Sequence, residues 1–150
     1  MTSTIESILT PERAIKNAPI SSKKKVLEFL GSFISEHIPE SSADDIYTRF
    51  LSRERMGSTG IGEGIAIPHC RLKQCDETFT VLMHLAEPID FDAIDKEPVD
   101  LIFALVVPEE ATDEHLQTLS MLAQKLSQAD YRDALRGSTD STDLYLKAIT

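Results

Sequence analysis

The sequence predicts an α/β fold in which helices cover both sides of a mixed β-sheet. Residues 101–107 (LIFALVV) are apolar without interruption, which is typical of a central strand that is buried on both faces. Residues 78–87 (TFTVLMHLAE) carry apolar side chains at every second position, as in a strand with one better-buried face. Residues 21–38 repeat apolar side chains at helical spacing instead. The absence of internal repeats and long linkers predicts one domain over residues 1–150.

The N-terminal region is expected to contain a short edge strand and then a helix. Residues 5–15 are apolar but are interrupted by Pro11, which favours an edge strand and a turn. The helix over residues 21–38 can be capped by Ser21 or Ser22, and the proline that follows it marks its end.

A second helix is expected from Ser42 or Ala43. Ser42 and Asp45 resemble the acidic variant of a capping box, and Gly57 is suited to the C-terminal end of the helix.

A glycine-rich segment and a very short strand come next. Residues 57–64 (GSTGIGEG) hold four glycines, so they cannot form a stable helix and can adopt positive φ. Ile65 and Ile67 alternate with small residues, which predicts a strand that ends at Pro68. His69 follows at once, so we expect its imidazole at the rim of the sheet.

Three helices are predicted after Pro108. Thr112 can cap the first of them, and short helices follow over residues 129–135, closed by Gly137, and 141–149. The predicted inner face of the first helix consists of Leu116, Leu119, Ala123 and Leu126.

Composition excludes several classes of function. The net charge is −10 and the pI about 4.8, which argues against binding to nucleic acid or anionic membranes and favours a partner with a basic face. The longest apolar run is too short to cross a bilayer, and no signal peptide is visible. Cys70 and Cys75 are therefore expected to be reduced thiols in a cytoplasmic protein.

Four features together indicate phosphoryl transfer. His69 can act as a nucleophile and Arg53 can neutralise charge, while the loop residues Gly57, Ser58, Thr59 and Gly60 can offer backbone N–H groups to an anion. His115 lies in the first turn of a predicted helix, where free N–H groups and the helix dipole favour negative charge. Phosphoryl transfer requires little beyond such positioning and charge neutralisation.

Each of these features also has a structural interpretation. A histidine after a proline is often only a turn residue, Arg53 could complement a helix C-terminus, and His115 could belong to the core. The loop matches neither a Walker motif nor G-x-G-x-x-G nor G-x-S-x-G. His37 and His84 are interpreted as structural residues.

A zinc site formed by His69, Cys70 and Cys75 is another alternative. The C-x4-C spacing has no matched second pair, which closed zinc sites usually show, so the sequence does not favour it.

Three segments resemble the IIA proteins of the phosphoenolpyruvate phosphotransferase system (PTS), in the fructose/mannitol class and more specifically in its nitrogen-regulatory branch. They are residues 53–69 (RERMGSTGIGEGIAIPH), 87–110 (EPIDFDAIDKEPVDLIFALVVPEE) and 115–126 (HLQTLSMLAQKL). The resemblance implies a three-layer α/β/α sandwich and no metal or nucleotide cofactor.

The resemblance also implies roles and partners. His69 would accept a phosphoryl group from an HPr-like phosphocarrier that is fed by enzyme I. His115 would donate a hydrogen bond or a proton to that group, and Arg53 would offset its charge. The regulatory targets implied are potassium transporters and sensor kinases.

Two positions depart from the family pattern. Cys70, followed by Arg71, stands where glycine usually follows the active histidine, and Glu63 stands where asparagine is common. A carboxylate beside a phosphate would repel it, so we expect Glu63 to face solvent.

Two alternative functions stay open on the sequence. One is a stand-alone sugar-specific IIA protein that passes phosphate to a IIB domain. The other is a non-catalytic regulatory module that binds an anion at the glycine loop.

Overall fold

The structure, a computed structural model, describes residues 4–73, 75–111 and 113–150, with residues 113–115 described by their backbone alone. The strands are β1 (Ala14–Ala18), β2 (Gly60–Gly62), β3 (Ile65–Ala66), β4 (His69–Leu72), β5 (Phe79–Ile89) and β6 (Val99–Pro108). The helices are α1 (Ile5–Ile8), α2 (Lys23–His37), α3 (Ala43–Arg55), α4 (Asp113–Leu126), α5 (Ala129–Arg136) and α6 (Ser141–Ile149). Within the described ranges, no helix is long and apolar enough to cross a membrane.

The strands form one mixed, open sheet with helices on both sides. Its order is β1–β5–β6–β3–β2, and β4 also pairs with β6. The pairs β1–β5, β3–β6 and β4–β6 are parallel, whereas β5–β6 and β2–β3 are antiparallel. The predicted α/β sandwich with a mixed sheet is confirmed.

Strand β6 is the centre of the molecule, as its uninterrupted apolar run predicts. Successive side chains of a strand point to opposite faces. Ile102, Ala104 and Val106 therefore enter the core beneath α2 and α3. Leu101, Phe103 and Leu105 enter the second core, which α1, α4, α5 and α6 cover.

Helices α2 and α3 begin where their serines predict. The hydroxyl of Ser22 accepts a hydrogen bond from the N–H of Lys25 at 3.2 Å, and that of Ser42 accepts from Asp45 at 3.0 Å. The two helices pack closely at Gly31, where an added Cβ would lie 2.6 Å from a backbone oxygen of α3.

The prediction of a strand over residues 5–15 is wrong in its first part. Thr4 and Ser7 form a reciprocal capping box, which starts the short helix α1. Pro11 then opens a 3₁₀ turn, where its missing N–H and fixed φ are tolerated. The edge strand exists, but it begins only at Ala14.

The predicted inner face of α4 is also partly wrong. Residues four apart lie on one face of a helix, and the buried row here is Thr118, Leu122 and Leu126. Leu116, which is 64% exposed, and Ala123 lie outside that row. Leu119 packs at the edge of the second core as expected.

Replacing Gly31 by alanine should destabilise the protein, although alanine normally favours a helix by up to about 1 kcal/mol. The added methyl would meet the backbone carbonyl oxygen of Ala43, so α2 and α3 must separate. We expect the free energy of unfolding in urea to fall by about 1–3 kcal/mol. Ser32→Ala, an exposed change in the same helix, should leave it nearly unchanged or slightly raised. A Gly31→Ala protein more stable than the wild type would show that the helices do not pack as described.

Candidate functional site

His69 is the first residue of β4, so the expectation that the strand ends at Pro68 with His69 just beyond it is wrong. Strand β3 stops at Ala66, and the chain returns to the same neighbour at His69, because both strands pair with β6 in one register. Pro68 causes the interruption, since it has no N–H to donate to the ladder. Its carbonyl still accepts from the N–H of Leu105 at 2.9 Å. The histidine is therefore carried by the central part of the sheet.

The surroundings of His69 define its tautomer. Its Nδ1 lies 2.7 Å from the carbonyl oxygen of Ile67. Because a carbonyl can only accept, Nδ1 carries the proton and Nε2 keeps its lone pair. The Nε of Arg53 lies 3.3 Å from that Nε2 and donates to it. The structure thus brings together two of the residues that the sequence singles out.

The pKa of His69 is lowered from its ordinary value. Burial of the imidazole is the main cause, and the positive charge of Arg53 lowers the pKa further. The hydrogen bond to Ile67 and the negative charge of Glu54 act in the opposite direction and raise the pKa. The imidazole is therefore neutral at neutral pH, as a nucleophile must be.

An open depression of about 360 Å³ surrounds the imidazole. It is lined by Arg49, Ser52, Arg53, Met56, His69, Cys70 and Arg71. Arg49 donates to the carbonyl of Arg71 at 3.1 Å, and Arg71 donates to the carbonyls of Glu109 and Ala111 just before α4. Three guanidinium groups thus surround one histidine in a chain of net charge −10. This basic depression is suited to an anionic group.

The glycine loop is built differently from the expectation. The N–H of Gly57 donates to the carbonyl of Glu54, that of Thr59 donates to the Glu54 carboxylate, and that of Gly60 donates to the Ser58 hydroxyl. The expectation that these amides are available to an anion is therefore wrong for Gly57, Thr59 and Gly60. The loop instead supports Arg53, whose guanidinium donates to the carbonyl of Gly57 at 2.9 Å.

Glu54 is a residue of this region that the sequence analysis missed. Its side chain is only 2% exposed, and its Oε1 lies 3.0 Å from Nζ of Lys23. A signal was present, because Ile46, Phe50 and Glu54 are spaced by four and share the buried face of α3. Glutamate is seldom buried without a partner, so this spacing alone does not predict that Glu54 is buried.

Part of the predicted site lies outside the described residues. The backbone of His115 belongs to the first turn of α4, as predicted, but its side chain and Thr112 are outside the description.

The two departures from the family pattern lie in different places, since Cys70 and Arg71 line the depression and Glu63 lies outside it. Glu63 faces solvent as expected, being 72% exposed with a carboxylate oxygen 3.7 Å from Arg132. Cys70 and Cys75 are free and buried, and burial raises the pKa of Cys70 to about 12. The described residues include no group of three or more His, Cys, Asp or Glu side chains that could hold a metal ion.

The other two histidines make structural contacts. Nδ1 of His84 accepts from Nζ of Lys16 at 2.8 Å, and its Nε2 lies 3.2 Å from the Asp100 carboxylate. His37 lies at the end of α2, where its Nδ1 is 3.0 Å from the carbonyl of Phe33.

Comparison with known proteins identifies the family. The model of the family described as "Phosphoenolpyruvate-dependent sugar phosphotransferase system, EIIA 2" matches residues 7–148. The chain belongs to this family. Among its relatives, the nitrogen regulatory protein of Pseudomonas aeruginosa is 48% identical to this EIIA chain over 141 residues, which are 94% of this chain and 92% of that protein.

Solved structures agree with this assignment. The nitrogen regulatory protein IIA-Ntr of Neisseria meningitidis has a TM-score of 0.90 and 36% identity, over 96% of this chain and 98% of that one. The mannitol IIA of Escherichia coli has a TM-score of 0.73 at 20% identity, over 93% and 98% of the two chains, and shows the shared fold. The EIIA chain is therefore a phosphocarrier of the phosphotransferase system, and its nearest similarity among these three proteins is to nitrogen regulatory ones.

Replacing Arg53 by glutamine should raise the pKa of His69. The guanidinium disfavours a second positive charge on the imidazole and donates to its neutral form, so its removal favours protonation. The shift can be followed by NMR titration of the imidazole nitrogens. Arg55→Gln, an exposed arginine at the end of the same helix, should leave that pKa unchanged. A pKa that falls or stays constant in Arg53→Gln would contradict the described contact.

Proposed function

We propose that this EIIA protein accepts a phosphoryl group on Nε2 of His69 from an HPr-like phosphocarrier, itself phosphorylated by enzyme I. The observation that carries the proposal is the state of the imidazole. Its Nδ1–H is engaged by Ile67, while its Nε2 lone pair faces the Arg53 guanidinium in an open basic depression. The exchange takes place in the cytoplasm and requires no metal or nucleotide cofactor.

The reaction is a direct transfer between two histidines. The lone pair on Nε2 of His69 forms a bond to phosphorus as the bond from phosphorus to the carrier's imidazole breaks, and that electron pair returns to the carrier's ring. The proton on Nδ1 stays on that nitrogen throughout, donated in a hydrogen bond to the carbonyl of Ile67, so the His69 ring gains a positive charge as the carrier's protonated ring loses one. Arg53 turns from Nε2 to the phosphoryl oxygens and offsets their charge, while its contact with Gly57 keeps it in place. The family resemblance adds His115 as a hydrogen-bond or proton donor to those oxygens.

Phosphorylation also supplies a regulatory signal. A phosphoryl group adds about −1.5 to −2 charges, which offset the three arginines of the depression. A partner that recognises this basic surface would then lose its electrostatic complement. We propose that the unphosphorylated protein binds regulatory targets and that phosphorylation releases some of them. Potassium transporters and sensor kinases are the targets that the resemblance suggests.

The two alternatives receive less support. A non-catalytic anion-binding module needs free loop amides, and three of the four are engaged within the fold. A sugar-specific IIA protein is less favoured, since the nitrogen regulatory protein of P. aeruginosa is 48% identical over 94% of this chain, whereas the fructose-specific EIIA component of Haloferax volcanii is 34% identical over 86% of it.

Incubation with phosphoenolpyruvate, enzyme I and an HPr-like carrier should add one acid-labile phosphoryl group to the wild type and none to His69→Ala. Intact-protein mass spectrometry measures the addition. His37→Ala is the matched control, because this histidine lies at the end of α2 and should leave phosphorylation intact. An unmodified wild type, with carriers from both the nitrogen and the sugar branches, would exclude the phosphocarrier function.

The fate of the phosphoryl group distinguishes regulation from sugar transport. We expect phospho-His69 to transfer little phosphate to a sugar-specific IIB protein. We also expect the phosphate-mimicking His69→Glu variant to bind a regulatory target, such as a sensor kinase of the source organism, at least about tenfold more weakly than the wild type, a difference of about 1.4 kcal/mol. Binding is measured by titration calorimetry. Rapid transfer to IIB, together with equal target affinities, would favour the sugar-specific alternative.

A further inference from the structure

We propose that Glu54 is a positioning residue that fixes the orientation and tautomer of His69 without touching the phosphoryl group. The proposal deepens the function given above and rests on it. It starts from a buried charge whose place in the fold needs an explanation.

Burial of the Glu54 carboxylate has a cost that one ion pair does not offset. A carboxylate leaves water favourably only when its oxygens are paired and hydrogen-bonded. Lys23 lies 3.0 Å from Glu54, but it also lies 3.6 Å from Asp92, whose side chain is 75% exposed. Lys23 could therefore be paired at the surface without a second carboxylate in the interior. The other contacts of Glu54 indicate why a buried carboxylate is present at this position.

Glu54 holds the residue at the centre of the glycine loop. Its Oε1 accepts from the N–H of Thr59 at 3.2 Å, and its Oε2 accepts from the Thr59 hydroxyl. Thr59 is itself buried. Three donors therefore converge on the Glu54 side chain: the N–H and the hydroxyl of Thr59 and the ammonium group of Lys23. A carboxylate suits all three, because both of its oxygens accept and neither donates.

Thr59 connects this contact to the imidazole. Its carbonyl accepts from the N–H of Ile67 at 2.9 Å, and the carbonyl of Ile67 accepts from Nδ1–H of His69 at 2.7 Å. On its other side, Nε2 of His69 accepts from Arg53, the chain neighbour of Glu54. The contacts form a closed ring from Glu54 through Thr59, Ile67, His69 and Arg53 back to Glu54. A shift of Thr59 would therefore move the carbonyl that orients the imidazole.

The electrostatic effect of Glu54 agrees with this position. Its negative charge raises the pKa of His69, in opposition to burial and to Arg53. Glu54 is thus close enough to act on the imidazole, although no direct hydrogen bond joins them among the described contacts.

The test uses Glu54→Gln, which keeps the shape of the side chain and replaces one acceptor by an NH₂ donor. If the NH₂ group takes the place of Oε2, the Thr59 hydroxyl must turn from donor to acceptor, and in either orientation the charge that pairs with Lys23 is lost, so the contacts of Thr59 are rearranged. The readouts are the imidazole tautomer, by ¹⁵N NMR of histidine-labelled unphosphorylated protein, and the single-turnover rate of phosphoryl transfer from the phosphorylated HPr-like carrier.

The wild type should contain the Nδ1–H tautomer alone. In Glu54→Gln we expect the Nε2–H tautomer to appear and the transfer rate at saturating carrier to fall about ten- to hundredfold, as misplacement of a reacting group does. The carrier concentration that gives half the maximal rate should stay unchanged, because Glu54 is buried and does not line the depression around His69.

Two further variants make the result decisive. Asp92→Asn removes the exposed partner of Lys23 at a position with φ of +57°, which asparagine tolerates, and should match the wild type. Thr59→Ala removes only the hydroxyl contact and should show a smaller tautomer change in the same direction, even if Glu54→Gln does not fold.

The proposal is overturned if Glu54→Gln folds and shows the wild-type tautomer and transfer rate. If Glu54→Gln does not fold, a wild-type tautomer in Thr59→Ala overturns it instead. Failure of the proposed function is a separate observation. In that case the wild type accepts no phosphoryl group, while the NMR comparison still decides whether Glu54 orients His69.

Discussion

The hydrogen bond from Nδ1 of His69 to the carbonyl of Ile67 is the contact on which the site depends. It assigns the proton to one ring nitrogen and leaves the lone pair on the other. The two residues lie on either side of Pro68, at the interruption between β3 and β4. Both strands pair with β6, which is the most buried strand of the sheet. The backbone on both sides of Pro68 is therefore fixed, and this fixes the position of the imidazole. A histidine on a free loop would exchange tautomers and could present either nitrogen.

The charge distribution complements this geometry. The chain carries a net charge of −10, yet arginines from α3 and β4 converge on one depression around His69. The described carboxylates near the site have partners of their own, and Asp45 pairs with Arg49 at 3.1 Å. Glu63 points to solvent and Arg132, and Glu54 is used by Lys23 and Thr59. A small basic depression in an otherwise acidic molecule favours binding of a small anionic group over binding of nucleic acid or an anionic membrane.

The sequence could predict the parts of the fold that local chemistry decides. Serine caps and helical periodicity located α2 and α3, and an unbroken apolar run located β6. Prediction failed where a weak local signal was missed and where packing decides. Residues 5–15 are apolar enough for a strand, but the Thr4–Ser7 capping box gives the first of them a helical turn. On α4, the buried row is Thr118, Leu122 and Leu126, so Leu116 and Ala123 of the predicted face are exposed instead.

The candidate site also has parts that the sequence could predict and parts that it could not. Arg53 and His69 could be found from their residue types and spacing, because each is needed for its own chemistry. The role of the glycine loop could not, since glycine spacing permits exposed amides but does not exclude internal partners for them. Glu54 required both the periodicity of α3 and the fold around Lys23 and Thr59, which only the structure brings together.

The nitrogen of His69 that carries the phosphoryl group can be identified by NMR. Histidine-labelled (¹⁵N) protein would be phosphorylated by its carrier, and the coupling between ³¹P and the ring nitrogens would be measured. We expect coupling to Nε2 of His69, with Nδ1 still protonated and hydrogen-bonded to the carbonyl of Ile67. A phosphoryl group on Nδ1 would contradict it, because that nitrogen could react only after the hydrogen bond that orients the ring had been broken.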